Sequence, residues 1–553
     1  MSPTPPPVYS DNTVIRLDAL VVGAGFGGMY AVHRLRSMGL AMRAIEAGDN
    51  VGGTWYWNRY PGARCDVMSI DYSYSFSEEI MQEWTWSEQF AAQPEILTYA
   101  NWVADRLELR RNIEFNTRAS AIRFDDERKI WAVTTDTGTT YEVTYLVMAT
   151  GPLSIPKMLD IPGVDTFGGT VYQAQKWPHH PVDLSGKRVA VIGVGSTGIQ
   201  IIPVVAEQAE HLTVFQRTPS FTLPMRNRKM EPDYVAQIKA HYPYLRGLAR
   251  NTLTGGVRPI STRPVFSVPA TEQRKLMEEA WAAGGLAFLG IFSDLLLNQQ
   301  ANDVVADFVR EKISEVVDDP ETAETLKPRG YPIFARRPCL DTNYYETYNR
   351  PNVDLVDCLT DPIQEITPTG IRTVEQHVDL DVIIAATGYD ALTGAMLAIN
   401  ITGRDGTSLN EKWAAGSRSH LALMMADFPN LFIVAGANGP SALANFIMLD
   451  EQNVDWICAT IDHLRTSGLA TIEPTQEAED RWMDHLHTLS GASLMPKANT
   501  WYTGTNILGK PRNFPIYIGG LARYRDICTA AIDGGYVDFH FERQEQQQFV
   551  EAE

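Results

Sequence analysis

Two glycine-rich hexapeptides constrain this chain more than any other feature: Gly23-Ala24-Gly25-Phe26-Gly27-Gly28 and Gly193-Val194-Gly195-Ser196-Thr197-Gly198. Each follows an apolar run, LDALVV at 17–22 and RVAVI at 188–192, and each opens a stretch with apolar residues at helical spacing. Strand, glycine turn and helix in that order begin a βαβ unit. The glycines permit the tight turn and let a pyrophosphate approach the helix N-terminus. One G-x-G-x-x-G is weak evidence by itself; two, each with its strand and helix, predict an α/β fold with two Rossmann-like dinucleotide-binding domains. A chain of 553 residues has room for both and for further elements.

The residues after each turn separate the two sites. The strand MRAIEAG carries Glu46, 18 residues past Gly28, where a carboxylate accepts hydrogen bonds from a ribose diol. The strand LTVFQR ends in Arg217, 19 residues past Gly198, followed by Thr218. An arginine there suits a 2′-phosphate, so the second site is read as one for NADPH rather than NADH. The first is read as an FAD site because an aromatic loop follows it, NVGGTWYWNRYPGARCD at 50–66. Trp55, Trp57 and Tyr60 there suit the lining of a flat ring, and three such side chains in water would be an odd surface. If Asp66 is inside, it needs an arginine partner.

Between the two turns, 113–147 alternates polar and apolar residues in short runs, as an antiparallel excursion does, and returns to a strand ending in Ala149-Thr150-Gly151. A second apolar strand ends in Ala386-Thr387-Gly388, consistent with chain crossings between two nucleotide domains. The stretch from Phe167 to Pro178, FGGTVYQAQKWP, lies where it could set how the domains face each other. Pro203 is expected to kink the helix after the second turn. Residues 220–331 carry no third fingerprint and read as a mostly helical insertion, of the kind that covers a substrate site.

The net charge of -20 argues against nucleic acid as a main partner. Five scattered cysteines exclude a disulfide framework, a Cys-rich zinc site and the cysteine pair of flavin disulfide reductases, and no metal site is expected. The Pro-rich start lacks the features of a signal peptide, no run is apolar and long enough to span a membrane, and both ends are expected to fray. The expected setting is the cytoplasm.

Taken with GGTWYWNRYPGARCD, RRPCLDTNYYETYNRPNVDLVD from Arg336, ATGYD from Ala386 and NGPSALANF from Asn438, the chain resembles the type I Baeyer–Villiger monooxygenases, in particular the phenylacetone and steroid monooxygenase branch. Phe167, Gly169, Trp177 and Pro178 match the family signature F-x-G-x-x-x-H-x-x-x-W-P/D, whereas Gln173 stands at the histidine. Gln173 can hydrogen-bond but cannot titrate. The resemblance implies FAD and NADPH as cofactors, and a flavin peroxide that attacks a ketone to give a tetrahedral adduct and then an ester or lactone. It implies that Arg337 holds the developing negative charge with Asp66 orienting it. It places Gly23, Gly25, Gly28, Glu46, Thr54, Trp55, Asn58, Asp66 and Tyr72 at FAD. Gly193, Gly195, Ser196, Thr197, Gly198, Arg217, Thr218, Arg336, Arg337 and Trp501 fall at NADP. Ser441, Ala442, Leu443 and Phe446 fall near substrate, and Phe167, Gly169, Gln173 and Trp177 at domain coupling.

The expected division is a FAD-binding domain in two parts, 1–150 and 386–553, and an NADP-binding domain in two parts, 151–219 and 332–385. The insertion occupies 220–331, and a mobile loop near 490–508 is anchored by Trp501. The expected partners are a small-molecule ketone and O2, with no nucleic acid and no membrane, in a monomer or weak oligomer. Two alternatives stay open: a flavin monooxygenase oxidising nitrogen or sulfur, and an NADPH oxidase or redox flavoprotein with oxygenation lost, for which Gln173 speaks.

Overall fold

The computed structural model describes residues 13–258 and 260–543. The Pro-rich start up to residue 12 and the end beyond Arg543 lie outside them. Two parallel-cored sheets organise the chain. In the first, Val14–Val22 lies between Thr140–Met148 and Met42–Ile45, parallel to both, and Ile113–Glu114 extends the edge. The strand begins earlier than its apolar run, because Val14 to Leu17 still pair with Thr140 to Val143, and Arg16 meets Glu142 at 2.9 Å. Only its second half is fully buried, which is why the apolar signal starts late.

The expected antiparallel excursion is Ala119–Asp125 and Ile130–Thr135, leading back into Thr140–Met148. Late segments complete this sheet: Asn400–Thr402 pairs with Ala119–Asp125, and Leu431–Ile433 with the end of Thr140–Met148.

The second sheet is wholly parallel, with Arg188–Ile192 between His211–Gln216 and Val382–Ala385, and with Val353–Asp357 and Thr170–Gln173 at its edges. The stretch from Phe167 is therefore an edge strand of the second sheet. Gly169 is needed there, since a Cβ would lie 2.3 Å from Asp381 O. Phe167 and Trp177 pack into the two apolar layers on either side of that sheet. The helix Ser196–Gln208 runs through Pro203 without a break.

The helical insertion is there: Pro232–Ala240, Tyr242–Arg250, Ala270–Ala283, Gln299–Val316 and Pro320–Leu326. It leaves and rejoins the body side by side, because Thr222–Pro224 pairs in parallel with Cys339–Asp341. Arg336 and Arg337 precede that closing strand. The C-terminal end departs from expectation at Glu542 and Arg543, which finish the strand Phe539–Arg543 on Leu469–Pro474. Glu542 is held by Lys129 at 2.6 Å and Arg404 at 2.8 Å. Among the described residues no helix is long and apolar enough to cross a membrane.

Candidate functional site

Both glycine turns open into one cavity of about 1590 Å³. That exceeds the roughly 300–1,000 Å³ of a single small-ligand pocket and suits more than one dinucleotide. The turns are built alike. Gly23 and Gly193 have φ of +107° and +105°, and a Cβ on them would lie 2.4 Å from Ala149 O and 2.6 Å from Ala386 O. A Cβ on Gly28 or Gly198 would lie 2.0 Å from the carbonyl oxygen of Gly23 or Gly193. The two Ala-Thr-Gly strand ends are thus the surfaces the turns pack on. Neither helix has a side-chain N-cap or an acid in its first turn, which leaves N–H groups free for an anion.

At the first turn, Glu46 accepts from Ala24 N and Gly48 N, both at 2.8 Å, and its remaining lone pairs can take a ribose diol. The loop after it folds over the turn: Gly52 N donates to Ala24 O at 3.1 Å. Gly25, Glu46, Thr54, Trp55, Asp66 and Tyr72 line the cavity, with Trp55 Nε1 donating to the Tyr72 hydroxyl at 3.0 Å. Gly28 lies behind the wall, and so does Asn58, whose amide oxygen accepts from the Tyr389 hydroxyl.

Asp66 meets its arginine 271 residues away. Arg337 Nε and Nη2 donate to the two carboxylate oxygens at 2.9 and 2.6 Å, while Nη1 donates to Ala442 O. The arginines of the aromatic loop go elsewhere, Arg64 to Glu88 and Arg59 to Tyr56 O. Burial opposes the Arg337 charge, but the adjoining Asp66 carboxylate outweighs it and holds the guanidinium above its usual range. A planar cation so fixed on a cavity wall can stabilise charge on a neighbouring oxygen without giving up its proton.

The second turn brings Gly193, Gly195, Ser196 and Thr197 to the cavity, with Arg217, Thr218, Arg336 and Trp501; Gly198 stays behind the wall. Arg336 stacks on Tyr331 at 4.2 Å and donates to Asn499 O at 2.7 Å, while its buried Nε has no partner among the described residues. Burial, and then the nearby Arg217, lower its pKa, and both effects would be relieved by an anion. The glycine cradles and this unanswered donor fit two dinucleotides, the second with a phosphate beyond its pyrophosphate.

Of the four residues placed near substrate, Ala442 and Phe446 line the cavity. Ser441 is fully buried and donates to Gly436 O, and Leu443 packs with an apolar cluster beside the cavity. Phe167, Gly169, Gln173 and Trp177 do not line it. Gln173 sits one layer back, donating to Lys157 O at 3.2 Å and Thr387 Oγ1 at 3.0 Å, and both of those residues do line it. Lys157 Nζ reaches Asn506 O at 2.9 Å, in the loop that carries Trp501.

Sequence reasoning missed Lys157, Asn506 and Gln200. Gln200 ties the aromatic loop to the second helix, accepting from Tyr60 at 2.9 Å and donating to Arg64 O at 2.9 Å. The signal was a lone amide in the apolar run IQIIPVVA.

A family model described as pyridine nucleotide-disulphide oxidoreductase matches residues 17–241. A Baeyer-Villiger monooxygenase of Pseudooceanicola batsensis is 40% identical over 94% of this chain and 95% of its own. A phenazine N-monooxygenase of Lysobacter antibioticus is 39% identical over 96% of this chain and 98% of its own. A solved structure of oxidised steroid monooxygenase bound to NADP superimposes with a TM-score of 0.92, at 46% identity over 96% of this chain and all of that one.

Proposed function

The chain belongs to the type I Baeyer–Villiger monooxygenases, and we propose that its cavity carries out the family reaction on residues named here. The enzyme is an NADPH- and O2-dependent flavin monooxygenase that inserts one oxygen next to a ketone carbonyl and gives an ester or lactone; the second oxygen leaves as water. FAD, when bound, supplies the electron transfer and the activation of O2 that no side chain provides.

The first glycine turn and Glu46 hold the flavin dinucleotide, with Thr54, Trp55 and Tyr72 beside it. Asn58 steadies the loop through Tyr389. The second turn holds NADPH, with Arg217, Thr218 and Arg336 on its 2′-phosphate and Trp501 covering it. Arg337 faces the charge that grows on the carbonyl oxygen, and Asp66 fixes its plane and keeps it charged. Ala442 and Phe446 border the ketone, with Ser441 and Leu443 shaping that wall from behind. Phe167, Gly169, Gln173 and Trp177 act through the edge strand and its hold on Lys157 and Thr387. The domain division runs at 150, 219, 331 and 385, with 490–508 the loop that opens for cofactor exchange. The chain works in the cytoplasm as a monomer or weak oligomer.

The observation that carries this reading is the bidentate Asp66–Arg337 pair on the wall of the cavity that both glycine turns share. Turnover of a mixed ketone panel with NADPH and 18O-labelled O2 tests it. One labelled oxygen in an ester, with little peroxide, is expected; peroxide and no oxygenated product would overturn it. The phenazine N-monooxygenase likeness favours a second reading, so aromatic N-heterocycles belong in the panel. An N-oxide as the main product would move the activity to that class.

A further inference from the structure

The helix Phe446–Ser467 carries an acid that the reaction above does not use. Asp450 is 7% exposed and lines the cavity beside Gly27 and Tyr72. A Cβ built on Gly27 would lie 3.0 Å from Asp450 Cγ and 3.1 Å from Oδ1. Gly27 is the second residue of the helix Phe26–Ser37, whose first turn has no acid of its own and whose N-cap is Gly25. Asp450 therefore brings a carboxyl to the helix end that a pyrophosphate would occupy. Among the described residues no lysine, arginine or histidine forms an ion pair with it. Its neighbour Glu451 differs, because Ser75 N and Ser75 Oγ occupy its two oxygens.

A carboxylate here would set a second anion against a pyrophosphate in a buried wall. A neutral carboxyl would instead donate a hydrogen bond. We propose that Asp450 is a binding residue for the pyrophosphate–ribityl arm of FAD, to which it donates a hydrogen bond as a neutral acid. The proposal rests on the first glycine site being the flavin site.

The surroundings agree. Burial, then the charge of Glu451, raises the Asp450 pKa, and only the Gly27 N–H works against them. The other titratable groups that face it are the phenols of Tyr72 and Tyr74, which burial holds neutral. Arg246 and Arg250 act on Glu451. FAD affinity should then fall as pH rises through the Asp450 pKa of the FAD-free protein, since ionisation removes the donor and adds an anion.

FAD release from the holoenzyme on dilution, read by the gain of free-flavin fluorescence, tests this over a window from the ordinary carboxylate range upward to the alkaline limit of the folded protein. The wild type should lose about tenfold in affinity across that window. Asp450→Asn, an uncharged donor of the same shape, should bind as the wild type does at the acid end and stay flat. Asp450→Leu should bind about tenfold more weakly at the acid end and also stay flat. A wild-type slope retained in Asp450→Asn, or wild-type affinity in Asp450→Leu, would overturn the proposal while leaving the flavin site in place. A wild type that binds no FAD would overturn the flavin site as well.

Discussion

The two glycine turns follow one plan and differ in what stands over their middle residue. A Cβ on Gly25 would meet Gly53 Cα at 3.5 Å, because the aromatic loop folds back over the first turn; a Cβ on Gly195 would meet nothing within 4 Å. The acid beyond the first turn has both oxygens engaged by backbone N–H groups. Beyond the second turn stand an exposed Arg217 and an Arg336 with an unanswered Nε. The same strand–turn–helix physics has thus made a roofed site and an open one. A roof suits a group that stays through many cycles, and an open site suits one that is consumed and replaced at every turnover.

The glycines break this comparison most directly. Gly28→Ala puts a methyl 2.0 Å from a backbone oxygen and should cost about 3 kcal/mol of stability and most of the bound FAD, read by thermal unfolding and flavin absorbance. Gly195→Ala should stay within about 0.5 kcal/mol of wild type and change only NADPH binding. Gly198→Ala, with the same 2.0 Å approach, should cost as much stability but take NADPH binding with it; a loss of that size in Gly195→Ala would contradict the open middle of the second turn. Next in size, Arg217→Ala should raise KM for NADPH about thirtyfold and leave KM for NADH nearly unchanged; equal effects on both would remove the 2′-phosphate from this site. Glu46→Gln should weaken FAD about tenfold, because an amide nitrogen then faces one of the two backbone N–H donors, and should leave KM for NADPH alone. The smallest effect is expected from Gln173→His, which acts one layer behind the wall. It should change the flavin reduction rate about twofold and add a pH dependence at about pH 6.5 that the wild type lacks. A flat profile in both proteins would reduce the edge strand to packing.

The sequence made local geometry legible and long-range pairing illegible. The glycine turns, Glu46, Arg217, the antiparallel excursion and the helical insertion each follow from residues close together in the chain. The need of Asp66 for an arginine can be read from the loop itself, but which arginine comes only from the family resemblance, which names Arg337. Arg59 and Arg64 stood nearby in sequence, and the partner is 271 residues away because the insertion returns beside its own start. Asn58 pointed to the flavin with the rest of its loop, yet its amide oxygen is taken by Tyr389, a contact no local pattern encodes. The stretch from Phe167 reads, from its place between the two glycine turns, as a segment that could set how the domains face each other. It is an edge strand that packs Phe167 and Trp177 on opposite faces of the second sheet. Asp450 was hidden in the polar stretch Asp450-Glu451-Gln452-Asn453, where one acid among several reads as an ordinary helix-surface position.

The two glycine turns share one charged centre, the Asp66–Arg337 pair, and we infer that its work comes after flavin reduction. Arg337→Ala tests it by two readings on one protein: anaerobic flavin reduction by NADPH, and ester formed from ketone in air. Reduction within about threefold of wild type, with ester formation down about a thousandfold and peroxide released in its place, is the predicted result. Ester formation at the wild-type rate would contradict the assignment of the Asp66–Arg337 pair to the oxygen-transfer step.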